Sequence, residues 1–422
     1  MNEIVCKYSE NTIKRAASIL KRGGIVAFPT ETVYGLGACA RYPGAVAKIF
    51  KVKKRPLFDP LIVHISDPRD VDRLCRKVSR KSRKLIERFW PGPLTLIMPK
   101  SDAVPDIVTA GLPTVAVRMP AHPVALELIK KAGVPVAAPS ANPFGYISPT
   151  TARHVAEQIG GKVDLIIDGG ACPVGIESTV LDMSAREPVI LRPGGLPVEE
   201  IERVIGKVKI SRRIKTVANP SSLRSPGSSS SLCLPSSLRS PGQLSRHYSP
   251  STPVKIINDR DFRIFSENNG SGKAVGIFGR SPCFTYGPDR GYVNLRGGRK
   301  NKPVPAHTGL KAGLLAFRAP VVNPAFFKSS LKRIMGKKRP AGKGISTGKK
   351  MSAGNVIFFR KIEILSVSGD LCEAAANLFS SLHKLDDAGL DIIYAEKVPE
   401  RGLGAAIMDR LRKAEGRPGA RK

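Results

Sequence analysis

Between residues 25 and 194 the chain returns repeatedly to short apolar runs: "IVAF", "PLIVHI", "LTLIMP", "TVAVRMP", "VPVAAPS", "DLIIDGG", "STVLDM" and "PVILRPG". Each has the length of a strand and is bounded by Pro, Gly, Ser or Asp, so these runs read as strands of a sheet. Amphipathic segments alternate with them. Ile13, Ala17 and Leu20 share one helical face before "GG" ends that helix. Further helices are expected around 43–52, 70–89, 123–132 and 150–159, the last with Ser148 or Thr150 as N-cap beside Pro149. Strands and helices in alternation predict an α/β fold, a single domain over 1–208 built around a large twisted sheet.

From 209 to 253 Ser and Pro dominate, and "SSLRSPG" occurs at 221–227 and again at 236–242, which predicts a flexible linker lengthened by a local duplication. Inside that linker "SPGQLSRHYSP" (240–250) carries Arg246, His247 and Tyr248, side chains a passive spacer does not need. Beyond it "KAVGIFGR" and "DIIYAE" read as strands, and "DLCEAAANLFSSLHKL" as a helix with Leu371, Ala375, Leu378 and Leu382 on one stripe. "GLGAAIMDRLRKA" opens a final helix, so 254–418 is expected to be a second, smaller α/β domain. An insertion over about 281–352 holds the stretch Arg296 to Lys350, which contains no Asp or Glu; a solvated loop and an RNA-contacting loop both fit it.

Composition narrows the function classes. Lys and Arg number 69 against 34 Asp and Glu, a formal charge of +35 that attracts polyanions such as nucleotides, RNA and pyrophosphate. No apolar run approaches the roughly 20 residues needed to cross a bilayer. The N-terminus lacks the basic start and apolar centre of a secretory signal, and seven cysteines without a CxxC pair oppose both a disulfide framework and a zinc ribbon. A cytoplasmic protein with reduced thiols is expected.

Chemistry concentrates at strand ends. In "FPTETVYGLGA" Thr30, Glu31, Thr32 and Tyr34 crowd a turn before Gly35 and Gly37, the kind of place where open α/β sheets form ligand pockets. "KVKKRPLFDPLIVHI" sets Lys53, Lys54 and Arg55, a phosphate-suited cluster, ahead of a strand holding His64. "TVAVRMPAHP" places Arg118 at a strand end, where it can meet a carboxylate. "AAPSANPFGYISPT" presents Ser140, Asn142 and Ser148 in a turn suited to an anion, and "GIESTV" and "LRPGG" add Ser178 and Arg192. No paired carboxylates suggest a hydrolase, and no HxH or HExxH suggests a catalytic metal. A cationic, hydroxyl-rich site of this kind suits a nucleotide and a carboxylate substrate.

These motifs, in this order and spacing over about residues 8–205, resemble the YrdC-type threonylcarbamoyl-AMP synthases. "SPGQLSRHYSP" resembles the linker of the family's two-domain form, and the segment from "LFSSLHKL" to "IMDRLRKA" its C-terminal Rossmann-like domain. The resemblance implies an enzyme, a nucleotidyltransferase making threonylcarbamoyl-AMP and pyrophosphate from L-threonine, bicarbonate or CO2, and ATP. The product feeds threonylcarbamoyladenosine modification beside the anticodon of tRNA, through a downstream tRNA threonylcarbamoyl transferase machinery. Mg2+ would accompany ATP, with no prosthetic group and no protein-held metal, and the family's association with double-stranded RNA would extend to this chain. By motif position, Thr32, His64, Arg118, Ser178 and the backbone of Ala138 would hold threonine. Lys53, Arg55, Asp59, Thr114, Ser140, Asn142, Ser148 and Arg192 fall at ATP or adenylate positions. Lys54 and Asp59 depart from the family's usual Gly or Asn, and Asn. Tyr248 would belong to a segment folded back over the nucleotide as a lid.

Two other readings compete. One is an RNA-binding protein on the same scaffold that makes no adenylate. The other is a carbamoyl-transfer maturation enzyme of the hydrogenase type, which would be expected to carry acylphosphatase and zinc-finger regions that are missing here.

Overall fold

The computed structural model describes residues 4–211, 248–257, 263–268, 273–278, 311–317 and 359–415. The duplicated heptads, Arg246, His247 and nearly all of the acid-free tract lie outside these residues.

The apolar runs pair into one sheet. Its strands are β1 (Val5–Lys7), β2 (Val26–Phe28), β3 (Gly35–Cys39), β4 (Ile62–His64), β5 (Leu94–Pro99) and β6 (Thr114–Arg118), then β7 (Val136–Ala137), β8 (Leu165–Asp168), β9 (Thr179–Asp182), β10 (Val189–Arg192) and β11 (Lys209–Ile210). They order as β1-β8-β2-β3-β7-β4-β6-β5-β9-β10-β11, an 11-stranded mixed sheet. β4 runs parallel to β6 and β5 parallel to β9, whereas β2–β3 and β5–β6 are antiparallel. Successive side chains of a strand point to opposite faces, and β2 feeds two cores accordingly. Ala27 joins Leu36, Val63, Leu96 and Val117, while Val26 and Phe28 join Ile13, Leu20 and Leu128.

The segment Gly35–Cys39, which is not among the runs read as strands, is a strand as well. Gly37 is what allows it: a Cβ there would sit 2.6 Å from Phe28 Cε1 and 2.7 Å from Val136 Cγ1. Helices at Pro43–Lys53 and Pro123–Ala132 match expectation. The helix expected over 70–89 is broken into Val71–Leu74 and Arg80–Phe89. Cys75 bridges to Lys100, the Arg76 N–H donates to Pro99 O, and Ser79 caps the second piece by accepting from the Ser82 N–H. Pairing with the chain at the end of β5 thus overrides helical periodicity. The helix after Pro149 is Ala152–Ile159, capped by Thr151 rather than by Ser148 or Thr150.

By contacts the chain divides into two compact units, one comprising Met1–Ser249, Leu371–Ser380 and Pro399–Lys422, the other Pro250–Asp370 and Ser381–Val398. Strands β12 (Val254–Ile257), β13 (Arg263–Asn268), β14 (Lys273–Phe278), β15 (Ala312–Ala316), β16 (Phe359–Ile364) and β17 (Ile392–Glu396) belong to the second unit. β12, β17, β15 and β16 form, in that order, a 4-stranded sheet that is parallel throughout. β13 and β14 make an antiparallel pair, of which the sequence shows only one member, the strand in "KAVGIFGR". The two late helices are Leu371–Asp386, with Ala375, Leu378 and Leu382 buried as the stripe requires, and Leu403–Glu415. Among the described residues no helix is long and apolar enough to cross a membrane.

Candidate active site

The loop leaving β2 is tied down by its own hydroxyls. Thr30 Oγ1 donates to Val33 O at 2.6 Å and accepts from the Thr32 and Val33 N–H groups, both at 3.2 Å. Thr32 Oγ1 lies 2.8 Å from Thr30 Oγ1 and accepts from Arg118 at 2.9 Å. A second nitrogen of the same guanidinium meets Glu31 Oε1 at 2.6 Å, and the other oxygen of Glu31 accepts the Ala121 N–H. Arg118 is therefore buried, oriented and charge-balanced by the loop it faces.

Ile62 and His64 of β4 stand opposite Ala116 and Arg118 of β6. One face of this strand pair consequently carries His64, Arg118, Ile62 and Ala116, with Thr114 two residues further along it. His64 packs edge-on to Phe28, and its Nδ1 has no hydrogen-bond partner. Burial, assisted by the nearby Arg118 charge, pushes its pKa down to about 3. The imidazole is neutral, with one nitrogen left to meet a ligand.

Across from them Ser178 Oγ contacts Thr95 Oγ1 at 2.7 Å, and Arg192 donates to Ser178 O at 2.9 Å and to its Oγ at 3.3 Å. Glu177, one residue earlier, accepts from Ser148 Oγ and from Arg410 Nε. Burial would raise the Glu177 pKa, but Arg410, Arg192 and the Ser148 hydroxyl outweigh it and lower the value. A third wall comes from Ala138, Pro139 and Ser140, held to the loop by Leu36 N–H donating to Pro139 O and Ala141 N–H to Tyr34 O. The Ala138 N–H itself donates to Ile62 O at 2.9 Å.

The basic motif after the helix Pro43–Lys53 splits in two. The ammonium of Lys53 is buried and donates to the carbonyls of Ser140 and Asn142, so it fixes the turn that carries the third wall. Burial pulls the Lys53 pKa well down, with the Arg55 charge adding to it. Arg55 reaches the cavity, braced by Asp59 O at 3.0 Å, Pro60 O at 2.8 Å and an ion pair to the Asp59 carboxylate at 2.9 Å. Burial pushes the Asp59 carboxyl up against the opposing pull of Arg55 and Lys53. Asn142 donates to Pro143 O and Tyr146 O, leaving its buried Oδ1 without a partner.

Tyr248 closes the ring of residues. Its backbone is left-handed at φ 60°, and its side chain is 1% exposed and lines the cavity. The ring packs against Phe379 at 5.7 Å between centroids, with the Arg410 guanidinium 5.1 Å from its centre. Burial raises the phenol pKa to about 12.

These walls enclose one cavity that opens to solvent. Thr32, His64, Arg118, Ala138, Ser178, Arg55, Ser140, Arg192 and Tyr248 all line it. Lys53, Asp59, Asn142 and Ser148 stand behind its walls as braces, and Thr114 lies beyond its edge on the face of β6 that also bears Arg118. Sequence reading missed Glu177 as a wall residue and Arg410 altogether. Glu177 sits inside a motif already singled out, but nothing local to Arg410 marks it. Among the described residues no three His, Cys, Asp or Glu side chains are grouped to hold a metal ion.

Comparison with known proteins shows the family. Residues 18–194 match the Sua5–YciO–YrdC family, described as Telomere recombination, and residues 196–416 match the family described as Threonylcarbamoyl-AMP synthase, C-terminal domain. Two proteins named Threonylcarbamoyl-AMP synthase are 37% identical to the chain. The one from Pyrococcus abyssi aligns over 97% of this chain and 96% of its own length, and the one from Bacillus subtilis over 96% and 93%. The crystal structure of P. abyssi Sua5 complexed with L-threonine superposes with a TM-score of 0.68 at 35% identity, covering 98% of this chain and 97% of that one. With both domains matched and relatives aligned end to end, the chain belongs to the threonylcarbamoyl-AMP synthase family.

Proposed function

We infer that this protein joins L-threonine, CO2 or bicarbonate, and ATP into threonylcarbamoyl-AMP, releasing pyrophosphate. The observation that carries this reading is the cavity itself, walled by Arg55, Arg118, Arg192 and hydroxyls, in a chain similar end to end to proteins of that name. The P. abyssi relative has been crystallised in complex with L-threonine.

Threonine would lie along Thr32, His64, Arg118, Ser178 and the backbone of Ala138, its carboxylate toward Arg118. Neutral His64 can exchange a hydrogen bond with the ligand but contributes no charge. The unprotonated amine adds to CO2 through its lone pair and releases a proton to solvent, giving a carbamate. A carbamate oxygen then attacks the α-phosphorus of ATP; the bond from that phosphorus to the β-phosphate bridging oxygen breaks, and pyrophosphate leaves with its electron pair. No enzyme nucleophile is required, only positioning and cationic stabilisation of the phosphoryl oxygens. Arg55, Arg192 and Ser140 would face the phosphates and Tyr248 would cover the nucleotide. Lys53, Asp59, Asn142 and Ser148 would act from behind, and Thr114 would mark the far end of the adenylate site. Mg2+ would enter on the triphosphate as part of the substrate.

The product would pass, in the cytoplasm, to the machinery that modifies tRNA beside the anticodon. Contact with double-stranded RNA has a candidate surface in the helix Arg80–Phe89, which buries Leu85 and Ile86 and exposes Arg80, Lys81, Lys84 and Arg88. An RNA-binding protein without adenylate synthesis is not favoured, since the cationic cavity is fully assembled. The test is pyrophosphate release with ATP, bicarbonate and each amino acid in turn. Threonine-dependent release is expected, and release indifferent to threonine would overturn the reading.

A further inference from the structure

The helix Leu403–Glu415 contributes a buried arginine that sequence reading did not connect to the site. Arg410 has a fully buried side chain, and besides an ion pair to the adjoining Asp409 at 2.9 Å its guanidinium makes three further contacts. Nε donates to Glu177 Oε2 at 2.9 Å, one NH donates to Pro193 O at 2.6 Å, and the group lies 5.1 Å from the centre of the Tyr248 ring. Each of these three further contacts leads to the cavity. Glu177 and Tyr248 line it, and Pro193 directly follows Arg192, which lines it too. The other oxygen of Glu177 is held by Ser148.

A helix that needed only to pack would do so at least as well with an apolar side chain, because burying an ion pair gains little over a hydrophobic isostere. Tyr248, moreover, keeps a left-handed backbone that a bulky residue holds only where its surroundings dictate it. The planar fork of arginine can satisfy a carboxylate and a carbonyl while stacking on an aromatic face; lysine cannot do all three.

We propose that Arg410 is a positioning residue for the nucleotide half of the reaction, setting Tyr248 and Glu177 in the cavity wall. This rests on the adenylate-forming reading above. It assigns the C-terminal helix a part in substrate affinity and not in fold alone.

The experiment uses the full-length chain, with steady-state pyrophosphate release measured against ATP and against threonine separately. Arg410→Met, which keeps bulk and removes the fork, should raise the ATP KM by about tenfold or more and leave the threonine KM within about twofold. Loss of folded protein alone would lower apparent kcat and leave both KM values in place. Tyr248→Ala should raise the ATP KM as well, and adding it to Arg410→Met should worsen that KM by no more than about twofold, since both act on one wall. Arg410→Lys should fall between wild type and Arg410→Met, and it carries the same test should the methionine variant lose its circular dichroism signature. Wild-type protein without threonine-dependent release would overturn the adenylate reading and this inference with it. Active wild type with an unmoved ATP KM in folded Arg410→Met or Arg410→Lys would overturn the inference alone. Fully multiplicative effects of Arg410→Met and Tyr248→Ala would overturn the route through Tyr248.

Discussion

The His64 imidazole makes a quantitative demand on the pH dependence of stability. Its ordinary pKa of 6.5 falls to about 3 in the folded protein, chiefly through burial and secondly through Arg118. The unfolded chain thus takes up a proton below pH 6.5, and the folded one resists until about pH 3. Stability is complete above pH 6.5 and declines as the pH drops between those limits. At pH 4.5 the unfolded state has gained two pH units of proton affinity that the folded state lacks, a penalty of about 2.7 kcal/mol at 1.36 kcal/mol per unit. His64→Gln has no such penalty. Carboxylates titrate in the same range, so the informative quantity is the difference between wild type and variant. Trp90, the single tryptophan of the chain, is buried in the unit that contains His64 and reports its unfolding alone. Urea unfolding followed by Trp90 fluorescence at pH 7 and pH 4.5 should therefore show wild type losing roughly 2–3 kcal/mol more than His64→Gln. A difference under about 1 kcal/mol would mean that the imidazole charges freely in the folded state, and the neutral role given to it in the site would fall.

Other outcomes follow from the walls of the cavity. Arg55→Ala and Ser140→Ala should each cut pyrophosphate release at least about tenfold, about 1.4 kcal/mol of transition-state stabilisation; wild-type rates in both would remove them from the phosphate side. Threonine should be strongly preferred to valine in the same assay, because the isostere leaves the hydroxyl-bonding groups of the pocket unpaired, and equal turnover would contradict the threonine pocket. Gly194→Ala would place a Cβ 2.3 Å from Glu177 O and 2.5 Å from Ser178 O. The forced backbone shift should cost about 1–3 kcal/mol and raise the threonine KM through Ser178; an unchanged KM and melting temperature would show that the loop yields without cost.

Most of the large sheet could be read from the runs themselves, because a short continuous apolar run bounded by Pro or Gly has the length of a buried strand and not of a helix. What escaped did so for identifiable reasons. β3 is hidden by Gly35 and Gly37, which signal a turn locally but are there because Phe28 and Val136 leave no room for a side chain at Gly37. The break between Leu74 and Arg80 is imposed by pairing of Cys75 and Arg76 with residues about 25 positions away, and no local propensity carries that information. In the site, Thr32, His64, Arg118 and Ser178 were legible because polar groups inside or at the ends of apolar runs have few structural uses. Lys53 was legible as a cation but not as a brace, since its partners are backbone carbonyls that any sequence would supply. Arg410 was not legible, because its meaning depends on Glu177 and Tyr248, which precede it by 233 and 162 positions.

That separation has a temporal side. Chains emerge from the ribosome in order, at about 5–20 residues per second, so Arg410 is delivered roughly 10–50 s after its partner Glu177. During that interval the nascent sheet can already be pairing while the Glu177 carboxylate, bound for a buried position, has Arg192 nearby but still lacks its ion-pair partner Arg410. A carboxylate whose ion-pair partner is missing resists full burial, so this wall of the cavity is completed only when the helix Leu403–Glu415 arrives. Completion of the adenylate cavity is in this sense an end-of-synthesis event, and a chain cut short before Arg410 would carry the sheet without the finished site.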